Sequence, residues 1–322
     1  LHFAAHHVHD LDHRGPDADG LFHKGIIMSG VDDGKLMPQP HGDGRMIVTA
    51  MLEEMGLSEN QVETLETLPY YELVKVYSKV CPAVMQKGGY VGNGPMKNDF
   101  YYGAPLIYGF VEHAKTIPLM IGSVFGEFAF KPATFNKYEL SYEEEKEMLS
   151  KRFGEHTQEL IDLFTKAYPK KKPVDLLSLD RVFRTPSKEL AKLMAEGGEA
   201  PAYLYNFILE FPIAHGKAAW HCSDIPFVFH NTDKVEICNI DGVSDELEEK
   251  IFQALIHFAY TGNPNHIGLP KWSSVKPEDE PTMIFDRDCK VLHNYDDELI
   301  NLFNSVCGPI SLADLFAQDV QH

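Results

Sequence analysis

Three apolar runs stand out along the chain, at residues 25–28, 118–124 and 202–209. The first two are almost continuously hydrophobic, the pattern of strands buried on both faces in a parallel sheet under helices. The third, Ala-Tyr-Leu-Tyr-Asn-Phe-Ile-Leu, is rich in aromatic residues and suits a central strand or one near an edge. Helical spacing fills the intervals. Residues 141–153 open on Ser141 as an N-cap, with acids in the first turn. Residues 245–260 place Leu247, Ile251, Leu255, Ile256 and Phe258 at helical intervals and stop at Gly262-Asn263-Pro264. Strand, long helical insertion, strand, helical insertion, strand, helix is an α/β order. The insertions, at about 31–116 and 130–200, exceed a minimal crossover and leave room for a cap over the sheet. Lys170-Lys171-Lys172, bracketed by Pro169 and Pro173, reads as a solvated loop.

Composition narrows the classes. The 322 residues are 44% hydrophobic and 24% charged, ordinary for a globular chain of one large or two smaller domains. No apolar run approaches the roughly 20 residues of a membrane span, and the N-terminus lacks a signal-peptide pattern. A formal charge of -19 repels phosphate backbones and argues against a nucleic-acid partner. The five cysteines, Cys81, Cys222, Cys238, Cys289 and Cys307, are odd in number and far apart. Neither a disulfide framework nor a thiolate zinc site is expected, and a cytoplasmic location fits best.

Residues 1–19 differ from the rest. Five histidines fall within the first 13 positions, a composition break that sets this segment apart from 20–322. His7-Val8-His9-Asp10-Leu11-Asp12-His13 resembles the His-x-His-x-Asp-His of metallo-β-lactamase-like hydrolases. Its spacing is off by one residue and no strand pattern precedes it, so no functional metal site is expected.

Two stretches carry candidate chemistry. Ile117-Pro118-Leu119-Met120-Ile121-Gly122-Ser123-Val124-Phe125-Gly126-Glu127 ends a strand on a carboxylate. Lys217-Ala218-Ala219-Trp220-His221-Cys222-Ser223-Asp224-Ile225-Pro226-Phe227-Val228-Phe229 sets an imidazole before an apolar run. In order with them come Gly20-Leu21-Phe22-His23-Lys24-Gly25-Ile26-Ile27-Met28-Ser29-Gly30, His257-Phe258-Ala259-Tyr260-Thr261-Gly262-Asn263-Pro264-Asn265, and Trp272 followed by Met283-Ile284-Phe285-Asp286. Over residues 20 to about 303 this series resembles the C-terminal part of a type-B carboxylesterase, the carboxylesterase/lipase family that includes cholinesterases.

The resemblance implies an α/β-hydrolase fold: the C-terminal portion of a mostly parallel sheet with helices on both faces and helical insertions. It implies hydrolysis of a small-molecule carboxylic ester through an acyl-serine intermediate, with no metal or organic cofactor. Glu127 then matches the triad acid, His221 the base, and Ser29 and Asp224 the positions that support them by hydrogen bonds. Secretion is kept as an alternative location, because the expectation is that the N-terminus is missing.

The third triad member departs from the pattern. No Gly-x-Ser-x-Gly occurs in the chain, and the nucleophile's expected place falls near Phe3, whose phenyl ring cannot attack a carbonyl. Ser29, Ser123 and Ser223 lack the flanking glycines of a nucleophile elbow. Oxyanion-hole glycines are missing as well. The expectation is a fragment that is inactive by itself and marginally stable because its sheet has an unpaired edge. The alternative is a noncatalytic, serine-less homologue acting as a binding protein. Cys222 is expected to point away from His221, as neighbours on an extended chain do. Tyr101, Tyr102, Phe207 and Phe211 are candidates for a substrate pocket, with core packing the commoner fate of such residues.

Overall fold

The computed structural model describes residues 20–31, 44–91, 97, 101–131 and 133–308. The segment 1–19, with Phe3 and the histidine motif, lies outside the described residues. In chain order β1 (Gly25–Met28) precedes α1 (Arg45–Glu54), α2 (Thr64–Thr67), α3 (Tyr70–Gln86) and α4 (Pro105–Tyr108). Then come β2 (Leu119–Val124), α5 (Tyr142–Phe153), α6 (Thr157–Ala167), α7 (Arg184–Gly197) and β3 (Ala202–Phe207). A small hairpin, β4 (Glu210–Phe211) and β5 (Lys217–Ala218), leads to α8 (Ile225–Val228) and α9 (Ser244–Thr261). The last elements are β6 (Pro281–Phe285), β7 (Lys290–His293) and α10 (Asp297–Cys307).

Residues Pro38–Gly103 form a compact unit of their own, within the first expected helical excursion. There α1 packs against α3, and Lys79 pairs with Glu54.

The other unit, Leu1–Met37 with Ala104–His322, is built on a five-stranded sheet of order β1-β2-β3-β6-β7. The first four strands run parallel, and β7 returns antiparallel as a hairpin with β6. The aromatic run is therefore the central strand. Every residue of β1, β2 and β3 is buried, as an apolar strand between two helical layers requires. Alternation sends Ile26, Met28, Met120, Tyr203 and Tyr205 to one core, with Leu255 and Phe258 of α9, Trp272 and Phe303 of α10. Ile27, Ile121 and Leu204 point to the other, against Leu190, Ala191 and Met194 of α7. Among the described residues β1 pairs with β2 alone.

The two helices read from spacing form as expected. Ser141 Oγ accepts from the Glu144 amide, and Glu144 Oε2 accepts from the Ser141 amide at 2.8 Å, a reciprocal capping box. Helix α9 buries Leu247, Ile251, Leu255 and Phe258 and ends on Gly262 in the left-handed region.

The lysine run is corrected. Lys170 is solvated and pairs with Asp288, but Lys172 reaches the buried Glu145 at 2.5 Å. Lys171 turns inward: its ammonium donates to the Ile208 carbonyl at 3.0 Å and lies 4.4 Å from the Phe125 ring centroid. Three like charges in a row carry no sign of which one an adjacent strand end will capture.

Candidate active site

Glu127 lies in the turn that follows β2. Phe125 donates its amide to Phe207, and Gly126 donates to Ala219, so the turn is tied to β3 and to the chain after β5. A Cβ on Gly126 would stand 2.9 Å from the Ser178 carbonyl oxygen and 3.1 Å from that of Ala219, so no larger residue fits. The Glu127 side chain is fully buried. Its Oε1 accepts from the Val124 amide at 2.8 Å and from Ser29 Oγ at 2.5 Å, and its Oε2 faces His221 Nδ1 at 2.7 Å. Ser29 follows β1 with φ 49°, its amide donating to the Gly122 carbonyl. The end of β1 thus aims a hydroxyl at the end of β2.

His221 arrives by a detour. After β3 the chain enters the β4–β5 hairpin, whose turn takes positive φ at Ala214, His215 and Gly216. The returning strand lays Ala219 and His221 against Gly126 and Glu127, and the His221 amide donates to the Glu127 carbonyl at 2.9 Å. Lys217 fastens the two loops, its ammonium donating to the carbonyls of Ala129, Phe130 and Lys131. Phe128 and Phe183 lie nearly parallel to the imidazole, with centroids 6.3 and 5.7 Å away. Of these supports, Lys217, Phe128 and Phe183 were invisible to sequence reasoning. Only the proximity of Phe128 to Glu127 in the chain offered a signal.

Asp224 is buried three residues on, at the start of α8. Its hydrogen bond comes from Tyr205 Oη at 3.3 Å, not from Glu127 or His221. Ser29 is thus the one of the two that donates a hydrogen bond to Glu127, while Asp224 feels the charges of Glu127 and His221. A third buried carboxylate, Asp180, went unread: it accepts from the amides of Val182, Phe183 and Arg184 at the start of α7. Burial first, and then the charge of Glu127, pushes both Asp180 and Asp224 up to about 7.

His221 is raised to about 10, first by the Cys222 side chain and then by Glu127, against desolvation. The expectation that Cys222 points away is thus corrected. It rested on an extended chain, whereas Cys222 sits in a turn with φ 71° that brings its thiol beside the ring. Phe207 and Phe211 are core residues packed with Phe227, and Phe207 also lines a narrow apolar cavity with Tyr205 and Asp224. Tyr101 and Tyr102 belong to the Pro38–Gly103 unit. Ser123 and Ser223 are buried with unpartnered hydroxyls, and Ser29 is engaged by Glu127.

A pH dependence follows. Folding raises all three groups above their unfolded values, so the folded state holds extra protons. The acids' share of stability is complete below about 3.8 and lost as pH rises through 7. His221's share is complete below about 6.5 and lost through about 10. The Tm is therefore expected to fall between pH 5 and pH 9. Glu127 raises each of the three, so Glu127→Gln is expected to flatten that slope. Thermal scans at pH 5, 7 and 9 check this, and parallel slopes for the two proteins would contradict it.

An imidazole oriented through Nδ1 by a buried carboxylate can exchange a proton at Nε2 with a neighbouring hydroxyl and a leaving group. The sequence matches the profile described as "Carboxylesterase family" over residues 5–303, beginning inside the histidine-rich segment. It is 25% identical over 291 residues to para-nitrobenzyl esterase of Bacillus subtilis (strain 168), covering 88% of this chain and 57% of that protein. It is 27% identical to carboxylesterase 5A of Felis catus, covering 80% of this chain and 50% of that protein.

Among solved structures, an esterase from Clostridium hathewayi described as hydrolysing aliphatic aromatic polyesters is 50% identical. It superposes with a TM-score of 0.86, over 92% of this chain and 59% of that one. A thermophilic PNB esterase at 23% identity and a TM-score of 0.59, over 91% and 59%, shares the fold. The chain spans about half the length of the curated relatives it matches. A profile match over nearly the whole sequence, on a mostly parallel sheet with this topology, places the chain in the carboxylesterase family, with the α/β-hydrolase fold.

Proposed function

We propose that this chain carries the acid and the base of a serine carboxylesterase, which cleaves carboxylic esters through an acyl-serine intermediate. The observation that carries this reading is the Glu127–His221 pair, 2.7 Å apart, with Glu127 fully buried and His221 partly so. In it His221 takes the nucleophile's proton at Nε2 and returns it to the leaving alcohol. Glu127 accepts from Nδ1–H, fixes the tautomer and stabilises the imidazolium. Ser29 holds Glu127 in register. The relatives named as esterases support the ester class, and the Clostridium hathewayi enzyme directs the proposal toward esters of aromatic acids.

Without a nucleophile elbow in its sequence, the chain alone is expected to be inactive. No Gly-x-Ser-x-Gly is present, Ser123 and Ser223 are buried, and Ser29 is bound to Glu127. Intact-mass analysis after fluorophosphonate treatment, alongside turnover of a short-chain aryl ester, tests this. No adduct and no turnover are expected from this chain. A chain extended upstream of Leu1 by its own encoding DNA is expected to show one adduct, on a new serine. A single adduct with turnover on the chain as it stands would overturn the expectation of inactivity.

A further inference from the structure

A cleft of about 230 Å³ opens where the loop after α6 meets the β6–β7 hairpin. It shares no lining residue with Ser29, Glu127 or His221. At about 30 Å³ per water molecule this is room for about eight waters, the size of a small organic molecule. Its floor is apolar, formed by Ile208, Ile284 and Leu292 with the rings of Tyr168 and Tyr295. Its rim is cationic, with Lys170, Lys171, Arg287 and Lys290 facing Glu210 and Asp286.

Several of these charges are already spent. Lys170 pairs with Asp288 at 2.6 Å, and Glu210 pairs with Lys137 at 2.5 Å and accepts from Tyr138. Asp286 is the lining carboxylate without an ion pair of its own among the described residues, and Lys171, Arg287 and Lys290 share the rim with it. Among the described residues Arg287 and Lys290 form no ion pair and no side-chain hydrogen bond. The Lys171 ammonium gives one donor to the Ile208 carbonyl and keeps two more. Burial also lowers its pKa, the mark of a cation short of solvent, although Asp175, Glu210 and Asp286 act the other way. In a chain of formal charge -19, a cationic rim over an apolar floor is a local reversal of sign. Anions are repelled elsewhere and drawn here. An inorganic anion would leave the floor unused, and a neutral apolar molecule would leave the cations unpaired.

We propose that this cleft binds a small organic carboxylate, its body on the Ile208–Ile284–Leu292 floor and its anion on Lys171, Arg287 and Lys290. Only the source of such a ligand rests on the proposed function, since a carboxylate of this kind is the acid half of an ester. Binding itself needs no turnover, so its test and that of the esterase reading fail separately.

Benzoate is a suitable probe, titrated into the chain by calorimetry at low salt. One saturable site is expected, weakened roughly tenfold or more in Arg287→Gln/Lys290→Gln with an unchanged Tm. Leu292→Trp, which fills the floor and keeps the cations, is expected to weaken it as well. Inorganic phosphate and neutral benzyl alcohol are expected to compete poorly. No saturable binding at millimolar benzoate, or binding that survives both variants, would overturn the proposal. Phosphate competing as well as benzoate would equally overturn it, reducing the cleft to a general anion site.

Discussion

Asp296→Ala is expected to destabilise the chain by about 3–5 kcal/mol, the usual cost of orphaning a buried charge. Asp296 is fully buried at the start of α10. Arg184 of α7 grips it from two nitrogens, Nε to Oδ2 at 2.8 Å and Nη2 to Oδ1 at 2.9 Å, and Lys188 adds a third contact at 2.8 Å. Burial alone would raise its pKa, but Arg184 and Lys188 hold it well below the usual carboxylate range. Its contribution is thus complete above about 3.9 and lost only in strong acid. Arg184 is itself almost fully buried and lies over the Tyr295 ring.

Removing the carboxylate leaves that guanidinium with a distant Glu280 at 3.5 Å. A Tm lower by roughly 10 °C is the expected reading. Arg184→Met/Asp296→Leu, which removes both charges, is expected to cost less than Asp296→Ala alone. Equal or greater loss in the double variant would show that the pair is not the source of the effect.

His221→Ala carries the largest expected effect on activity. In a chain that holds the nucleophile together with this pair, aryl-ester turnover is expected to fall by about 10³–10⁶-fold. An unchanged far-ultraviolet circular dichroism spectrum would separate this from unfolding. Turnover is also expected to rise toward alkaline pH, because an imidazole raised to about 10 must lose its proton before it can take another. Wild-type turnover in His221→Ala would remove the Glu127–His221 pair from the mechanism.

Much of this architecture is legible in the sequence where the signal is local. β1, β2 and β3 announce themselves as apolar runs, α5 by its capping residues and α9 by its stripe ending at Gly262. Glu127 and Ser29 sit just past strand ends that the sheet brings together, and the β4–β5 hairpin carries His221 back to Glu127. What stayed hidden depends on partners far along the chain. Arg184 and Asp296 are 112 residues apart, so neither helix shows that it holds half of a buried ion pair. Asp180 looks like a helix cap until β2 sets Glu127 beside it. Lys171 reads as solvent-facing until the end of β3 offers it a carbonyl. The side of the chain that Cys222 takes is hidden because a turn of positive φ cannot be told from an extended chain by its residue types.

The separations within the site also bear on how the molecule forms. Ser29 and Glu127 are 98 residues apart, and Glu127 and His221 are 94 apart. Their side chains meet only after three parallel strands are in register and the β4–β5 hairpin has closed. Long loops must be ordered before those contacts repay the lost chain entropy, so folding of such a sheet is slow. The proton between His221 and Glu127 is thus a late arrival. Its downfield nuclear magnetic resonance signal would count completed molecules, silent in any collapsed form that has helices but no finished sheet.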